Sequence, residues 1–334
     1  MKVSIRDLSK MTGFSPATIS NALNHKKGVN RETAEEIFRV ARETGYLSAN
    51  AVTKIRLVIF KKNGQILEET PFFQQMIEGI EEECHRLGYE MVISHVDQRN
   101  PNYQKQVRDL LEEQGVGIIL LGTEMMDGDL SLYRNASCPV LLLDHWTESM
   151  DFNSVLINNA DAARAITEHL LDNGHREVGY LRGNYRIKAF RSRFIGFQTA
   201  LKKYKVPYKE EYTVTVGTYM STACQDMLEY LKKKPKLPTA FFADNDIIAL
   251  GAMKALQEMG YRIPEDVSIV GFDDLTFSEI SSPPLTTLRV EKREMGKMAV
   301  RRLVELIDGI GTSTVTKIQV CPKIIYRNTV KNIK

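Results

Sequence analysis

Apolar and polar positions follow two different rhythms along the chain, and the change comes near residue 57. Before it, apolar residues recur at helical spacing in three short groups: Ile5, Leu8 and Met11, then Ile19, Ala22 and Leu23, then Ala34, Ile37, Phe38 and Ala41. After it, short continuous apolar runs alternate with amphipathic stretches. Leu57 to Phe60, Tyr89 to Ser94, Ile118 to Leu121 and Val140 to Leu143 predict strands, with helices over Phe72 to Leu87 and Tyr103 to Gln114. The cycle then restarts. Helices over Ala160 to Asn173, Ala189 to Tyr204, Thr222 to Lys232 and Asp246 to Met259 alternate with strands at Val178 to Leu181, Thr213 to Val216, Ala240 to Ala243 and Val267 to Phe272. A long helix from Lys292 to Ile310 and a final strand from Ile318 to Tyr326 close the chain. Apolar strands alternating with helices imply parallel sheets covered on both faces, and two rounds imply two doubly wound α/β lobes.

Capping residues mark where the three short helices begin. Ser4 can cap the first, with Asp7 in its first turn, and Gly13 breaks it. Ser15 can cap the second, and Pro16 takes the first helical position, where no N–H is missed. A short helix, a glycine turn and a second helix make a helix-turn-helix motif. The outward face of the second helix would hold Pro16, Ala17, Ser20, Asn21 and Asn24, which are small or hydrogen-bonding rather than charged. Such a face suits a groove where base edges are read, although an ordinary capped surface helix has the same pattern. Past Asn24, the segment His25-Lys26-Lys27-Gly28-Val29 is a basic loop able to touch phosphates. Asn30 can cap a third helix running to Thr44.

Charge sharpens this division. Residues 1–56 hold ten Lys or Arg against five acids, whereas the remaining 278 hold 35 against 37. A small basic head on a slightly acidic body predicts that the head alone meets a polyanion. The N-terminus lacks the apolar core of a signal peptide, and Cys84, Cys138, Cys224 and Cys321 form no CxxC pair, so a cytoplasmic location is expected. GxGxxG after a strand, GxxxxGK[ST], GxSxG and HExxH are all absent, so neither an enzyme nor a cofactor is expected. His169 and His175 lack a third ligand, so no metal site is expected.

Residues Val3 to Arg56 resemble the DNA-binding headpiece of the lac/galactose repressor family of bacterial transcriptional regulators. The match is carried by Ile5-Arg6-Asp7-Leu8, Gly13-Phe14-Ser15, Ala17-Thr18-Ile19-Ser20, Leu23-Asn24 and Glu43-Thr44-Gly45-Tyr46. In the body, Gly174-His175, Arg193 with Gly196-Phe197, Asn245-Asp246, Ala249-Leu250-Gly251-Ala252, Val270 to Asp274 and Pro283 to Thr287 resemble that family's regulatory domain, itself similar to periplasmic sugar-binding proteins. The resemblance implies an all-α helix-turn-helix headpiece (1–46), a hinge segment (47–56) and a two-lobed effector-binding and dimerisation domain (57–334). The first lobe would be 57–158 plus 290–317, and the second 159–287 plus 318–330.

What the resemblance implies for DNA is a homodimer on a palindromic operator, with the second helix in the major groove. The candidate contacts are Ser4, Ser15, Pro16, Ala17, Thr18, Ser20, Asn21, Asn24, His25, Lys26 and Asn30. A hinge helix would enter the minor groove, with Ile55 at the position of an aliphatic wedge. Ile55 also reads as the start of the next strand. Asn21 stands where the family usually has Arg, and Asn pairs with adenine rather than guanine, so a family operator sequence does not transfer unchanged. Ser48-Ala49 replaces the family's usual Pro-Asn.

The implied effector is a sugar or sugar phosphate held between the lobes. Ligands of open parallel sheets bind at strand C-terminal ends, and here those ends carry Asp144, Asp246 and Asp273. Arg193, Asn245, Phe72 and Phe73 match family contacts, while Tyr219 and Trp146 could supply aromatic walls. Other readings stand beside these: Asp246 as a helix cap, Phe72 and Phe73 as packing, Trp146 as a plug at the lobe hinge, and Arg193 paired with Asp273 across the cleft. The function implied is a ligand-responsive repressor of carbohydrate-utilisation genes; a transport-system sugar-binding protein is the alternative.

Overall fold

The three predicted head helices form, each where its cap permits. The computed structural model describes residues 3–23, 26, 28–46, 52–68, 70–308 and 314–334. Helix α1 (Ile5–Thr12) starts in a capping box between Ser4 and Asp7 and closes at Gly13, with φ 76°. Helix α2 (Pro16–Leu23) starts where Ser15 Oγ accepts the Thr18 N–H at 3.1 Å. Helix α3 (Arg31–Glu43) starts where Asn30 Oδ1 accepts the Thr33 N–H at 2.8 Å. Leu8, Ile19, Ala22, Ile37, Val40 and Ala41 bury one small common centre.

The body begins at β1 (Lys54–Lys61) and proceeds through α4 (Phe72–Arg86), β2 (Glu90–Asp97), α5 (Tyr103–Glu112), β3 (Val116–Leu121), β4 (Val140–Leu143) and β5 (Asn153–Ile157). It crosses into α6 (Asn159–Asp172), β6 (Val178–Gly183), α7 (Lys188–Lys203), β7 (Thr213–Val216), α8 (Met220–Lys232), β8 (Ala240–Ala243), α9 (Asp246–Glu258), β9 (Ser268–Val270), α10 (Thr276–Ile280) and β10 (Thr287–Arg289). Helix α11 (Lys292–Ile307), β11 (Lys317–Val320) and β12 (Lys323–Ile325) complete it. One sheet has the order β11-β5-β4-β3-β1-β2 and the other β7-β6-β8-β9, both entirely parallel. These are the two doubly wound lobes that the alternating pattern predicts.

Three expectations are corrected. Ile55 is fully buried within β1, paired with Met91 on β2 and Gly117 on β3. A side chain locked in a central strand cannot wedge into a duplex, so its strand reading prevails. The hinge segment 47–56 therefore cannot reach past residue 53, and of its earlier part residues 47–51 lie outside the described residues. The closing strand is two: β11 joins the first-lobe sheet beside β5, and β12 pairs antiparallel with β10. Residues 318–320 thus belong with the first lobe, and the chain passes between lobes after β5, after β10 and after β11.

Helices α4 and α11 cover one face of the first lobe and cross unusually closely. A Cβ on Gly79 would stand 2.1 Å from the Arg293 carbonyl oxygen, and one on Gly296 would stand 2.3 Å from that of Met76. Backbone meets backbone at this crossing, and ion pairs from Glu78 and Glu82 to Arg293 and from Glu82 to Lys297 flank it. Replacing Gly296 by Ala should force the helices apart and destabilise the chain by about 1–3 kcal/mol, the usual cost of overpacking. Urea unfolding measures this; a stabilised variant, as at an open helical glycine, would show that the crossing has room.

Candidate effector cleft and DNA-reading face

Helix α2 carries no charged side chain, so any selectivity on its face must come from shape and neutral hydrogen bonds. Ser15, Pro16 and Ala17 are exposed at its start, while Thr18, Ser20 and Asn21 are half-buried along it. Lys26 is exposed just beyond, and its N–H bonds the Asn21 carbonyl at 2.8 Å. Ser4 and Asn30 are engaged as helix caps, which fixes their positions without removing them from the surface. Asn24 and His25 lie outside the described residues.

The other site forms where strand ends of the two lobes converge. A cavity of about 30 Å³ between the lobes is lined by Phe72, Phe73, Asp144, Arg193, Asn245 and Asp273, together with Ile66, Thr123 and others that the sequence did not single out. A neighbouring cavity of about 180 Å³ shares Thr123 and Asp144 and adds Trp146, Asn159, Lys188, Ser192 and Gln319. Phe72 and Phe73 open α4 with their rings edge to face, 5.1 Å apart. Asn245 both caps α9, accepting the Ile248 N–H at 3.0 Å, and faces the smaller cavity. Trp146 is partly exposed at the larger one, with Lys317 Nζ 4.7 Å from its ring centre.

Arg193 is the centre of this arrangement. Its Nε donates to Asn159 Oδ1 at 2.8 Å and its Nη1 to the Asp244 carbonyl at 2.6 Å. Its Nη2 lies 3.4 Å from Asp273 Oδ1, and the guanidinium carbon sits 3.6 Å from the Phe272 ring centre. The pairing of Arg193 with Asp273 is therefore present, and both still face the smaller cavity. Burial pushes Asp273 up to about 6, against the pull of Arg193 and Lys292. Burial likewise pushes Asp144 up to about 6, opposed by a 2.7 Å hydrogen bond from Thr123 and by Arg193. Both aspartates hold positive φ, 56° at Asp144 and 116° at Asp273, an uncommon backbone for a residue with a side chain.

Several links hold the lobes together around these cavities. Lys188 at the start of α7 pairs with Asp127 of the first lobe and donates to the Trp146 carbonyl at 2.9 Å. Lys292 donates to the Asp273 carbonyl at 2.5 Å. Glu124, fully buried, accepts backbone N–H groups from Lys62, Asn63, Gly64 and Ile66, and so shapes the loop that carries Ile66 into the cleft. Among the described residues no group of three or more His, Cys, Asp or Glu is placed to hold a metal ion.

Two of the sequence candidates are corrected. Asp246 is fully buried but lines neither cavity; its carboxylate accepts from the Leu275 N–H at 3.0 Å, Ser278 Oγ at 2.6 Å and Thr287 Oγ1 at 2.5 Å. It ties the loop after β9 to the start of α9, and Asn245 rather than Asp246 is the cap. Tyr219 precedes α8, where its carbonyl accepts the Ala223 N–H at 2.8 Å, and it lines neither cavity. The residues missed are those no strand-end rule reaches. Lys188 and Ser192 share a helix face with Arg193, Thr123 follows β3, and Gln319 lies on the strand misassigned to the other lobe.

Asp246→Ala should behave as a structural variant. Leaving three buried donors without their acceptor costs about 3–5 kcal/mol, visible as a lowered urea midpoint. A variant as stable as the parent would return Asp246 to the list of binding residues.

Comparison with known proteins places this geometry. Residues 167–330 match the family described as periplasmic binding protein-like domain. Over 98% of its length the chain is 30% identical to the HTH-type transcriptional repressor PurR of Haemophilus influenzae, covering 99% of that protein. The protein of the same name from Vibrio parahaemolyticus is 29% identical over 98% of the chain and 99% of that protein. Among solved structures, the complex of the transcriptional regulator CelR with cellobiose superposes with a TM-score of 0.74 at 25% identity, over 98% of this chain and 100% of that one. The lac repressor dimer bound to operator and the anti-inducer ONPF superposes with a TM-score of 0.73 at 25% identity, over 99% of this chain and 100% of that one. With relatives matched along 98% of its length, the chain belongs to the lac/galactose repressor family of bacterial transcriptional regulators.

Proposed function

We propose that this regulator represses carbohydrate-utilisation genes from a palindromic operator, as a homodimer, and that a sugar-like molecule bound between the lobes controls it. The observation that carries this reading is the cleft itself. Asp144, Asp273, Asn245, Asn159 and Arg193 offer planar hydrogen-bonding groups beside the aromatic faces of Phe72, Phe73 and Trp146. Vicinal hydroxyls bridge carboxylates and amides of this kind, while the C–H faces of a sugar ring pack on aromatic rings. The solved relative CelR is complexed with cellobiose, which supports the same class here. Control then amounts to unequal affinity of the effector for open and closed lobes.

On the DNA side, base selectivity rests on α2 in the major groove, with Asn21 as its principal reader and Ser15, Pro16, Ala17, Thr18, Ser20 and Lys26 around it. The burial of Ile55 removes it as a minor-groove contact, which leaves more of the selectivity to this helix. The folded, self-capped headpiece supports this reading over that of a transport protein.

Duplexes selected from a randomised pool by the full chain would test the DNA half. Asn21→Ala should weaken the selected operator by about 1–3 kcal/mol and relax choice at one base pair, with non-specific binding nearly unchanged. An equal loss on both would show that Asn21 reads no base.

A thermal-shift screen of neutral sugars and their phosphates tests the effector half, followed by titration of a hit against pH. Hydroxyls donate to ionised carboxylates, and Asp144 and Asp273 take up protons as pH falls through about 6. Affinity should therefore be greatest above pH 7 and fall by about tenfold per pH unit below 6 for each carboxylate that must ionise. Affinity that stays flat from pH 7.5 to 5 would remove both aspartates from the site.

A further inference from the structure

Phe38 sits on α3 of the headpiece, and the helical spacing places it on the face that this helix buries. It is indeed buried, at 8% exposure. Its ring is turned to the first lobe. A Cβ built on Gly88, just past the end of α4, would lie 2.8 Å and 3.0 Å from ring carbons Cε2 and Cδ2 of Phe38. Gly88 also holds φ 77°, so a side chain there would be strained as well as crowded. Beside this contact an open cleft of about 300 Å³ is lined by Ala22, Val29 and Phe38 of the headpiece and by Arg86 and Leu87 of the lobe. An aromatic ring against one helix end, beside a solvent-open cleft, has the form of a docking contact between headpiece and lobe.

The tether agrees with a docked arrangement. Tyr46 still packs on the headpiece centre, and Val52 already packs on the first-lobe core, with the Thr53 N–H bonded to the Gly115 carbonyl at 3.0 Å. From Tyr46 to Val52 the chain can span at most about 22 Å even when fully extended. The tether thus keeps the headpiece near the lobe, and the Phe38 ring meets the lobe at the end of α4.

We infer that Phe38, docked against the backbone at Gly88, positions the headpiece on its own first lobe and thereby sets the half-site spacing that a pair of these chains accepts. Two headpieces held on rigid lobes present their recognition helices at one separation, whereas two merely tethered headpieces adapt to several. The same helix that receives Phe38 at its end carries Phe72 and Phe73 at its start, in the effector cleft. If the cleft is the effector site, as proposed above, α4 links that site to the headpiece through one continuous element.

The test uses the full-length chain and the duplex it selects, with two base pairs inserted or removed between half-sites. Two base pairs rotate one half-site by about 70° about the duplex axis. The parent should lose about tenfold or more in affinity on such a change. Phe38→Ala should tolerate it to within about twofold, while a wrong base inside a half-site still costs it as much as the parent. Phe38→Leu should restore the spacing penalty. A Phe38→Ala chain that keeps the full spacing penalty overturns the inference. So does one that loses base discrimination together with spacing, because Phe38 would then belong to the headpiece's own fold. A parent that selects no duplex at all would instead defeat the regulator reading on which the test rests.

Discussion

A single guanidinium buried among carboxylates governs the centre of this molecule. Arg193 is removed from water almost entirely, and such a charge is tolerable only when opposite charge and good acceptors surround it. Asp273, Asn159 and the Asp244 carbonyl supply these, and Phe272 supplies a face to stack on. The carboxylates bear a cost of their own. Asp144 and Asp273 are both pushed upward by burial, and Asp246 reaches about 7 through burial and the nearby charge of Asp273. Charge at the meeting of the two lobes is thus finely divided between one guanidinium and several carboxylates that burial disfavours.

Much of this architecture is legible in the sequence because the strands are buried on both faces. A run such as Ile118 to Leu121 has no polar position to confuse its period. What escaped were elements without that signature. Strand β5 begins Asn153-Ser154, and both polar side chains are buried among neighbours, so its pattern does not read as apolar. Strands β11 and β12 look like one segment; Pro322 marks a break between them, but not that Cys321-Pro322 carries the chain from one sheet to another. Ile55 could be read two ways, and the pairing of β1 with both neighbours settled it.

The cleft residues divide similarly. Arg193, Asp144, Asp273, Asn245, Phe72, Phe73 and Trp146 converge because strand ends and helix starts meet at one place, which a strand-end rule anticipates. Asp246 shows the limit of that rule. It sits at the right strand end, yet its carboxylate turns away from the opening to bind Leu275, Ser278 and Thr287, and only the three-dimensional path of the loop after β9 reveals those partners. Lys188 and Gln319 have the opposite history: nothing local marks them, and the approach of one lobe to the other makes them wall residues.

The close crossing of α4 and α11 has a mechanical consequence. Side chains interposed between helices can change rotamer and let one helix slide past the other, which is how shear motions are accommodated. At Gly79 and Gly296 no side chain is interposed, and carbonyl oxygens press directly on the neighbouring backbone. Sliding there would drive those oxygens into the facing backbone, so movement of the two helices together is the less costly course. Such a crossing passes a push at one edge on to the other much as a rigid beam does, where a chain of soft joints would absorb it.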